Sequence, residues 1–264
     1  MFEQFYDSRI LLIYLAVKFE GDFDKMMIAL ETKSTDIPYK EALKVYDSLK
    51  CRVVTILDYD YPRKLLRSYR PPLVLFYYGD ISLMDKPSMA VVGSRECDEL
   101  GVQATEKIVS GFAKGNVVVS GLAKGIDTVA HECTIKNGGR TIAVLGSGID
   151  YCYPPENKAL YQEIKKKHLV ISEYPFKTLP DRNHFPMRNR IIVGLSDVVY
   201  VPQVNSYMSG TMITLTIALE TEKPIYVAPY PPGSHTINNR IINEGSGVAD
   251  TLEQMLEELR WPTK

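Results

Sequence analysis

The sequence predicts an α/β protein, in which a doubly wound, mostly parallel, Rossmann-like sheet follows a small helical N-terminal domain. Apolar runs such as 141–145 and 197–201 alternate with helical segments after Pro87, and near-continuous apolar runs are typical of parallel strands buried on both faces. Glycine-containing turns follow several of these runs. The first 50 residues instead carry apolar side chains at helical spacing, which indicates helices.

The elements follow in order along the chain. Residues 1–50 are predicted to be helical, with a turn and a helix N-cap at 21–24. A connector over 51–88 contains two short strands, 53–57 and 73–78. We place the domain boundary near residue 80, between a helical N-terminal domain with its connector (1–80) and a Rossmann-like domain (81–264). The second domain is predicted to contain strands 89–93, 116–120, 141–146, 168–172, 197–202 and 224–228, with helices over about 98–114, 124–137, 156–167, 186–194 and 209–221 and at the end of the chain.

Composition narrows the class of protein. The formal net charge of -1 excludes a histone-like, strongly cationic protein, but residues 136–190 hold ten Lys or Arg against five Asp or Glu. This local excess suits an anionic partner. The four cysteines form no Cys-x-x-Cys and no zinc-like cluster, so we expect no metal and free thiols in a reducing cytoplasm. The apolar run 10–17 is too short to span a bilayer, and we expect no membrane association.

The first turn, Val91-Val-Gly-Ser-Arg95, places Gly93, Ser94 and Arg95 at the end of a predicted strand. Backbone N–H groups at such strand ends bind phosphate well, and the planar guanidinium group of arginine matches phosphate geometry. The acidic residues that follow would repel a phosphate at the helix start, so we expect the turn and Arg95 to form the site. The alternative is that Arg95 pairs with Asp98 or Glu99.

The second turn, Ser120-Gly-Leu-Ala-Lys-Gly-Ile-Asp127, carries the candidates Ser120, Gly121 and Lys124. A tight strand-to-helix turn with a solvated Lys124 is the alternative to a phosphate site. His131 lies one helical turn after Asp127, and this pair is either an acid–base pair or a hydrogen bond that positions the helix.

The third turn contains Gly146, Ser147 and Gly148, and the helix after it carries Asn157, Lys158 and Tyr161. A cation beside an aromatic ring suits a nucleic-acid backbone with a base stacked on the ring. The alternative places Tyr161 in the core and Lys158 at the surface. The turn lacks the third glycine of a dinucleotide-binding Gly-x-Gly-x-x-Gly motif, which counts against a dinucleotide-dependent oxidoreductase.

Two arginines follow in Phe185-Pro-Met-Arg-Asn-Arg190. Arg188 and Arg190 cannot face the same way on a helix, so at most one reaches the site. We select Arg188 as the DNA contact and expect Arg190 to pair with a carboxylate, for which Glu173 is the candidate. Further on, Ser209 suits the N-cap of the helix that starts there.

These segments together resemble the DNA-processing protein A family, also called DprA or Smf. The resemblance covers about 55–245, and the helical N-terminus is consistent with the sterile-alpha-motif-like domain that some members carry. The strings that carry it are 91–95, 120–127 with 130–131, 143–150, 153–154 with 157–158, 172–175 and 185–192.

The resemblance implies a function without catalysis or a cofactor. Family members bind single-stranded DNA that enters the cell in natural transformation, protect it, and load the recombinase RecA onto it while displacing single-strand-binding protein. They act as homodimers through the Rossmann-like domain. Carried onto this chain, the family's DNA contacts fall on Arg95 and Lys158, and the stacking aromatic falls on Tyr161.

A nucleotide phosphoribohydrolase-like enzyme is the alternative of a different class. Such enzymes resemble this chain in architecture and carry a Pro-Gly-Gly-x-Gly-Thr string with a catalytic glutamate nearby. Ser209-Gly-Thr211 echoes that string, but the next acidic residue is Glu220, which weighs against hydrolysis.

Overall fold

The computed structural model describes residues 7–32 and 37–261. Within these residues the helices are α1 (Ser8–Lys18), α2 (Phe23–Glu31), α3 (Tyr39–Asp47), α4 (Arg63–Leu66), α5 (Glu99–Phe112), α6 (Ile126–Lys136), α7 (Lys158–Lys167), α8 (His184–Leu195), α9 (Gly210–Glu220), α10 (Asn238–Asn243) and α11 (Leu252–Glu258). The strands are β1 (Arg52–Thr55), β2 (Val74–Gly79), β3 (Ser88–Val91), β4 (Val117–Ser120), β5 (Arg140–Leu145), β6 (Leu169–Ser172), β7 (Val198–Val201), β8 (Ile225–Val227) and β9 (Gly247–Val248).

The strands form one sheet in the order β1-β2-β6-β5-β4-β3-β7-β8-β9. Strands β3 to β9 run parallel. From β3 the chain winds outward through β4, β5 and β6, and then crosses to the other side of β3 to form β7, β8 and β9. This reversal is the topological switch of a doubly wound fold, and ligands bind such folds at the carboxyl ends of the strands. The predicted α/β class with a mostly parallel, Rossmann-like sheet is confirmed.

The two strands predicted in the connector join this sheet. β2 pairs with β6, and β1 pairs with β2, both antiparallel. Leu75 and Phe76 of β2 are fully buried, so β2 needs a neighbour on each edge and helices on both faces. The division of the chain at residue 80 stays a prediction, although the sheet itself extends across that point.

Two helical layers cover the sheet. Along β5, Val144 faces the layer that contains α4, α8 and α9, while Leu145 faces α7 and the N-terminal helices. Helices α5 and α6 cover the β3–β4 part of that second face, through residues such as Ile108 and Ile126. The predicted turn at 21–24 includes the N-cap of α2, where Asp22 accepts a hydrogen bond from the Lys25 amide at 3.1 Å. No helix of the described residues is long and apolar enough to cross a membrane.

Candidate nucleic-acid interface

The three predicted turns lie next to one another, because they follow the adjacent strands β3, β4 and β5. The first two turns are in contact: the Ile126 amide donates to the Ser94 carbonyl oxygen at 3.2 Å. Gly125 has a φ of +73°, and a Cβ there would lie 2.3 Å from that same oxygen. A glycine is therefore required for the second turn to pack against the first.

Several backbone amides of these turns are already bonded within the chain. Asp127 accepts from the amides of Gly121 and Ala123 at 3.1 and 3.3 Å. Two further amides donate to backbone oxygens, Ser94 to Gln203 at 2.9 Å and Gly148 to Thr178 at 2.7 Å. The expectation of turns with free N–H groups is therefore wrong for these four amides, because amides buried in a turn must find partners in the fold. These four amides are therefore not available to a phosphate.

Asp127 and His131 do not form an acid–base pair. Asp127 is buried and its pKa is raised by burial, against the opposing effect of Arg188. The Nδ1 atom of His131 lies 2.7 Å from the Thr141 hydroxyl, and burial lowers the pKa of His131 to about 3. Asp127 therefore bonds to the second turn, whereas His131 bonds to β5, and the His131 imidazole is neutral.

Arg188, predicted as a DNA contact, lies beneath the turns and is 6% exposed. It donates to the carbonyl oxygens of Gly121, at 2.7 Å, and Val144. Burial lowers its pKa to about 10, and Asp127 opposes that shift. A Cβ on Gly121 would lie 2.5 Å from the guanidinium group. Arg188 was predicted to contact DNA, but in this structure its guanidinium group is buried. It bonds to the ends of β4 and β5 and is not accessible to DNA.

Arg190 makes the predicted pair with Glu173. Its Nη2 atom lies 2.7 Å from each carboxylate oxygen, and the two side chains are almost fully buried. Burial raises the pKa of Glu173, and Arg190 opposes the shift. The helical spacing that separates Arg188 from Arg190 thus sends them to different partners.

Four other predicted site residues support the turns from within. Their side chains are buried. Ser120 donates to the Val91 carbonyl oxygen at 2.7 Å, Ser147 to the Tyr151 oxygen at 2.9 Å, Asn157 to the Leu122 oxygen at 2.9 Å, and Tyr161 to the Ile149 oxygen at 2.7 Å. Tyr161 is 2% exposed and belongs to the core between α7 and the sheet. The expected stacking of a base on Tyr161 is therefore wrong for this structure, and the alternative that places this ring in the core is what the fold shows.

The three other predicted cations are exposed at the carboxyl edge. The guanidinium carbon of Arg95 lies 5.5 Å from the ring centroid of Phe185. Asp98, a possible partner for Arg95, instead caps α5 through the Gly101 amide at 2.8 Å. Lys124 lies 2.6 Å from Glu156, which raises the pKa of Lys124. Lys158 is exposed at the first turn of α7. Arg95 and Lys158 are thus the cations left open to a ligand.

An aromatic pair that the sequence interpretation missed lies beside Arg95. The Tyr153 and Phe185 ring centroids are 5.6 Å apart, and Tyr153 is 42% exposed. Phe185 packs over Gly146, where a Cβ would lie 2.7 Å from its ring. Tyr153 and Phe185 both belong to segments that carry the family resemblance. Their exposure, however, depends on how segments distant in the sequence pack together, which no local pattern predicts. We call Arg95, Lys124, Tyr153, Lys158 and Phe185 the carboxyl-edge surface.

The carboxyl-edge surface therefore combines exposed cations with the exposed ring of Tyr153 and the half-buried ring of Phe185. Cations bind phosphates, and aromatic faces stack with unpaired bases. In the part of the chain that the structure describes, no group of three or more His, Cys, Asp or Glu side chains could hold a metal ion.

Known proteins resemble this chain over most of its length. Residues 52–260 match the family model of DNA recombination-mediator protein A. The chain belongs to this family. DNA processing protein DprA of Streptococcus pneumoniae is 41% identical over 213 residues, which cover 78% of this chain and 74% of the relative. Protein Smf of Synechocystis is 35% identical over 247 residues, which cover 91% of this chain and 62% of that protein.

Solved structures of relatives share the fold. The DprA structure of Streptococcus pneumoniae has a TM-score of 0.78 and 34% identity, and the match covers 94% of this chain and 93% of that one. A DprA structure from Helicobacter pylori, described for its single-stranded DNA binding mode, has a TM-score of 0.72 and 29% identity, with 80% and 97% covered. The predicted family and Rossmann-like architecture are confirmed, and membership assigns the chain to DNA processing.

Proposed function

We propose that the chain binds single-stranded DNA along the carboxyl-edge surface and acts as a non-enzymatic recombination mediator. In this proposal it works in the cytoplasm as a homodimer. It protects DNA taken up in natural transformation, displaces single-strand-binding protein and loads RecA. Membership in the recombination-mediator family supports this role, and so does the relative from Helicobacter pylori that binds single-stranded DNA.

The observation that carries the DNA-binding proposal is the contact of Arg95, Phe185 and Tyr153. The guanidinium group lies over one ring, and that ring lies against the next. A single strand can place a phosphate on Arg95 and an unpaired base on the exposed Tyr153 ring. In a duplex the base faces are stacked within the helix, so this second contact is lost and the single strand is preferred.

The internal bonding of the turns also favours a polymer over a mononucleotide. Four of the turn amides that could bind a phosphate are committed to Asp127 and to backbone oxygens. The exposed cations are instead spread over the ends of three neighbouring strands. Such a spread arrangement suits successive phosphates of a chain.

The phosphoribohydrolase-like alternative gains no support from the geometry around Ser209. Ser209 stands at the N-cap position of α9 without the expected capping bond from its side chain. Glu220 is the last residue of that helix, about 15 Å along the axis from its first residue at the usual rise per residue. The acid is therefore far from the turn that would hold a ribose.

The decisive experiment compares single-stranded and duplex oligonucleotides by fluorescence anisotropy. We expect a dissociation constant of roughly micromolar or tighter for single strands, weaker binding to duplex, and weakening of both by salt. Arg95→Ala should weaken single-strand binding about tenfold for every sequence and lower the salt dependence by about one phosphate contact. Arg140→Ala is the matched control, because Arg140 is an exposed arginine at the opposite edge of the sheet.

Equal affinity for duplex, or normal binding by Arg95→Ala, would refute the site. Release of a free base from a nucleoside monophosphate would instead support the enzyme alternative. RecA loading is tested separately, by the rate at which RecA assembles on single strands coated with single-strand-binding protein. No acceleration by the chain would contradict that part of the proposal.

A further inference from the structure

A second basic region lies at the other edge of the sheet. It is a cavity of about 420 Å³ between α4, α8 and α9, within the range of roughly 300–1,000 Å³ that small-molecule sites occupy. Lys64 on its wall bonds to Ser88, the first residue of β3, and to Asp197, which directly precedes β7. We call it the amino-edge cavity. Its cationic wall residues are Arg63, Lys64, Arg67, Arg190 and Lys223, and no Asp or Glu lines it.

Only two of these five cations have a partner in the described part of the chain. Lys64 lies 2.7 Å from Asp197 and also donates to the Lys86 carbonyl oxygen. Arg190 pairs with Glu173. The side chains of the remaining three make no ion pair or hydrogen bond with the described residues; they are Arg63, Arg67 and Lys223. The cavity therefore has an excess of three positive charges.

The buried arginine adds an independent observation. Arg190 is 2% exposed, and its Nε and Nη1 atoms have no hydrogen-bond partner within the described residues. Buried donors without an acceptor are unfavourable. An anion in the cavity would stabilise this guanidinium group by its charge. Lys223 also favours an anion in the cavity. Burial and the neighbouring Lys64 both lower the pKa of Lys223, against the effect of Asp197, so its charged form lacks stabilisation.

Helix α4 packs closely against α8 beside the cavity. A Cβ on Gly194 of α8 would lie 2.9 Å from both the Leu65 side chain and the Ser68 Cβ. The short helix therefore packs directly on α8. Arg63, at the start of α4, and Arg67, just after its end, both lie at the cavity wall. Arginine is suited to phosphate because its donors lie in a fixed planar fork.

We propose that the amino-edge cavity binds an oligophosphate anion, either free or as the diphosphate or triphosphate group of a nucleotide. Three unpaired cations match the charge of such a group. Tyr69, whose side chain lines the cavity and is 58% exposed, offers a ring to a nucleotide base. The site lies at the opposite ends of the strands from the carboxyl-edge surface, so its ligand does not have to compete with the DNA strand.

Isothermal titration calorimetry at fixed ionic strength tests this with three probes: pyrophosphate, ADP and adenosine. We expect saturable binding of pyrophosphate and ADP, and none of adenosine. Tighter binding of ADP than of pyrophosphate would identify a nucleotide ligand, and equal binding would identify a free oligophosphate. Absence of saturable binding of both phosphates at millimolar concentration, or adenosine binding as well as ADP, would overturn the proposal.

Two variants locate the site. The double variant Arg63→Ala/Arg67→Ala should bind pyrophosphate at least tenfold more weakly, while Arg140→Ala should bind it as the unchanged chain does. Thermal unfolding without ligand checks that the double variant is folded. If it is not, Lys223→Gln is the second test and should weaken binding about fivefold. Unchanged binding by the folded variant would overturn the site.

A competition experiment separates this site from DNA binding. A saturating single-stranded oligonucleotide should leave the affinity for pyrophosphate unchanged. Displacement of pyrophosphate would overturn the proposal, because the cavity would then be part of the DNA path. Failure of DNA binding itself is measured independently by anisotropy.

Discussion

The carboxyl-edge surface and the amino-edge cavity both carry unpaired cations, but they present them in opposite ways. At the surface, Arg95 and Lys158 are exposed and an aromatic pair stands beside them. In the cavity, Arg63 of α4 and Arg67, which directly follows α4, share the wall with Arg190, which is 2% exposed. The difference shows that positive charge alone does not define a ligand. Exposed charge with open rings suits a long strand, and recessed charge suits a compact anion.

One buried ion pair connects the two regions. Glu173 directly follows β6 at the carboxyl edge, and its partner Arg190 lines the amino-edge cavity. A change in this pair therefore acts on the wall of the amino-edge cavity through Arg190.

The largest expected effect follows from breaking that pair. Glu173→Gln leaves the Arg190 charge buried without a counter-ion, which should cost about 3 kcal/mol of unfolding free energy. Urea denaturation measures it. Glu163→Gln is the control, because Glu163 pairs with Lys167 at 3.0 Å on the exposed face of α7, where such pairs contribute about 0.5 kcal/mol or less. Equal losses of unfolding free energy for the two variants would show that the buried pair contributes no more to stability than an exposed pair.

A second test uses pH to act on the buried contact between α6 and β5, where His131 lies beside Thr141. The pKa of His131 is lowered to about 3 by burial, with Arg188 contributing. Stability from a neutral His131 is complete above the ordinary pKa of about 6.5 and is lost as pH falls toward 3. Between pH 7 and pH 5 this should amount to about 2 kcal/mol.

Urea denaturation at both pH values checks this prediction. His131→Asn should lose that part of the pH dependence, and His235→Asn, on an exposed loop, should keep it. The same dependence in both variants would mean that His131 does not titrate as its burial requires.

The smallest expected effect distinguishes Tyr153, which follows the third turn, from an exposed tyrosine in the connector between β1 and α4. Tyr153→Ala should weaken single-strand binding about tenfold, within the roughly 1–3 kcal/mol that base stacking contributes. Tyr59→Ala is the control, since Tyr59 is 99% exposed and lies outside the carboxyl-edge surface. Fluorescence anisotropy measures both. Unchanged binding by Tyr153→Ala would show that base stacking does not contribute. The surface would then bind through its cations alone, as the cavity is proposed to do.

The sequence predicted what local patterns determine. Apolar runs identified the strands of the parallel sheet, and helical spacing correctly separated Arg188 from Arg190. The sequence left open whether Tyr161 is exposed or in the core, and its burial depends on how α7 packs on the sheet. The occupation of turn amides by Asp127 was missed for a similar reason: it depends on the three-dimensional path of one turn. The pairing of β2 with β6 joins distant segments, and no local pattern predicts it.

That pairing also constrains the order in which the chain can fold during synthesis. Gly79 of β2 lies beside Leu169 of β6, so a nascent chain that ends before β6 has no partner for this edge of β2. The hydrophobic strand β2 is therefore synthesised early, but it pairs with β6 only after β6 has been synthesised. Long-range strand pairing of this kind is slow and leaves an edge exposed to other chains in the meantime. The N-terminal helices, which pack on β2, reach their final support only after most of the sheet has been translated.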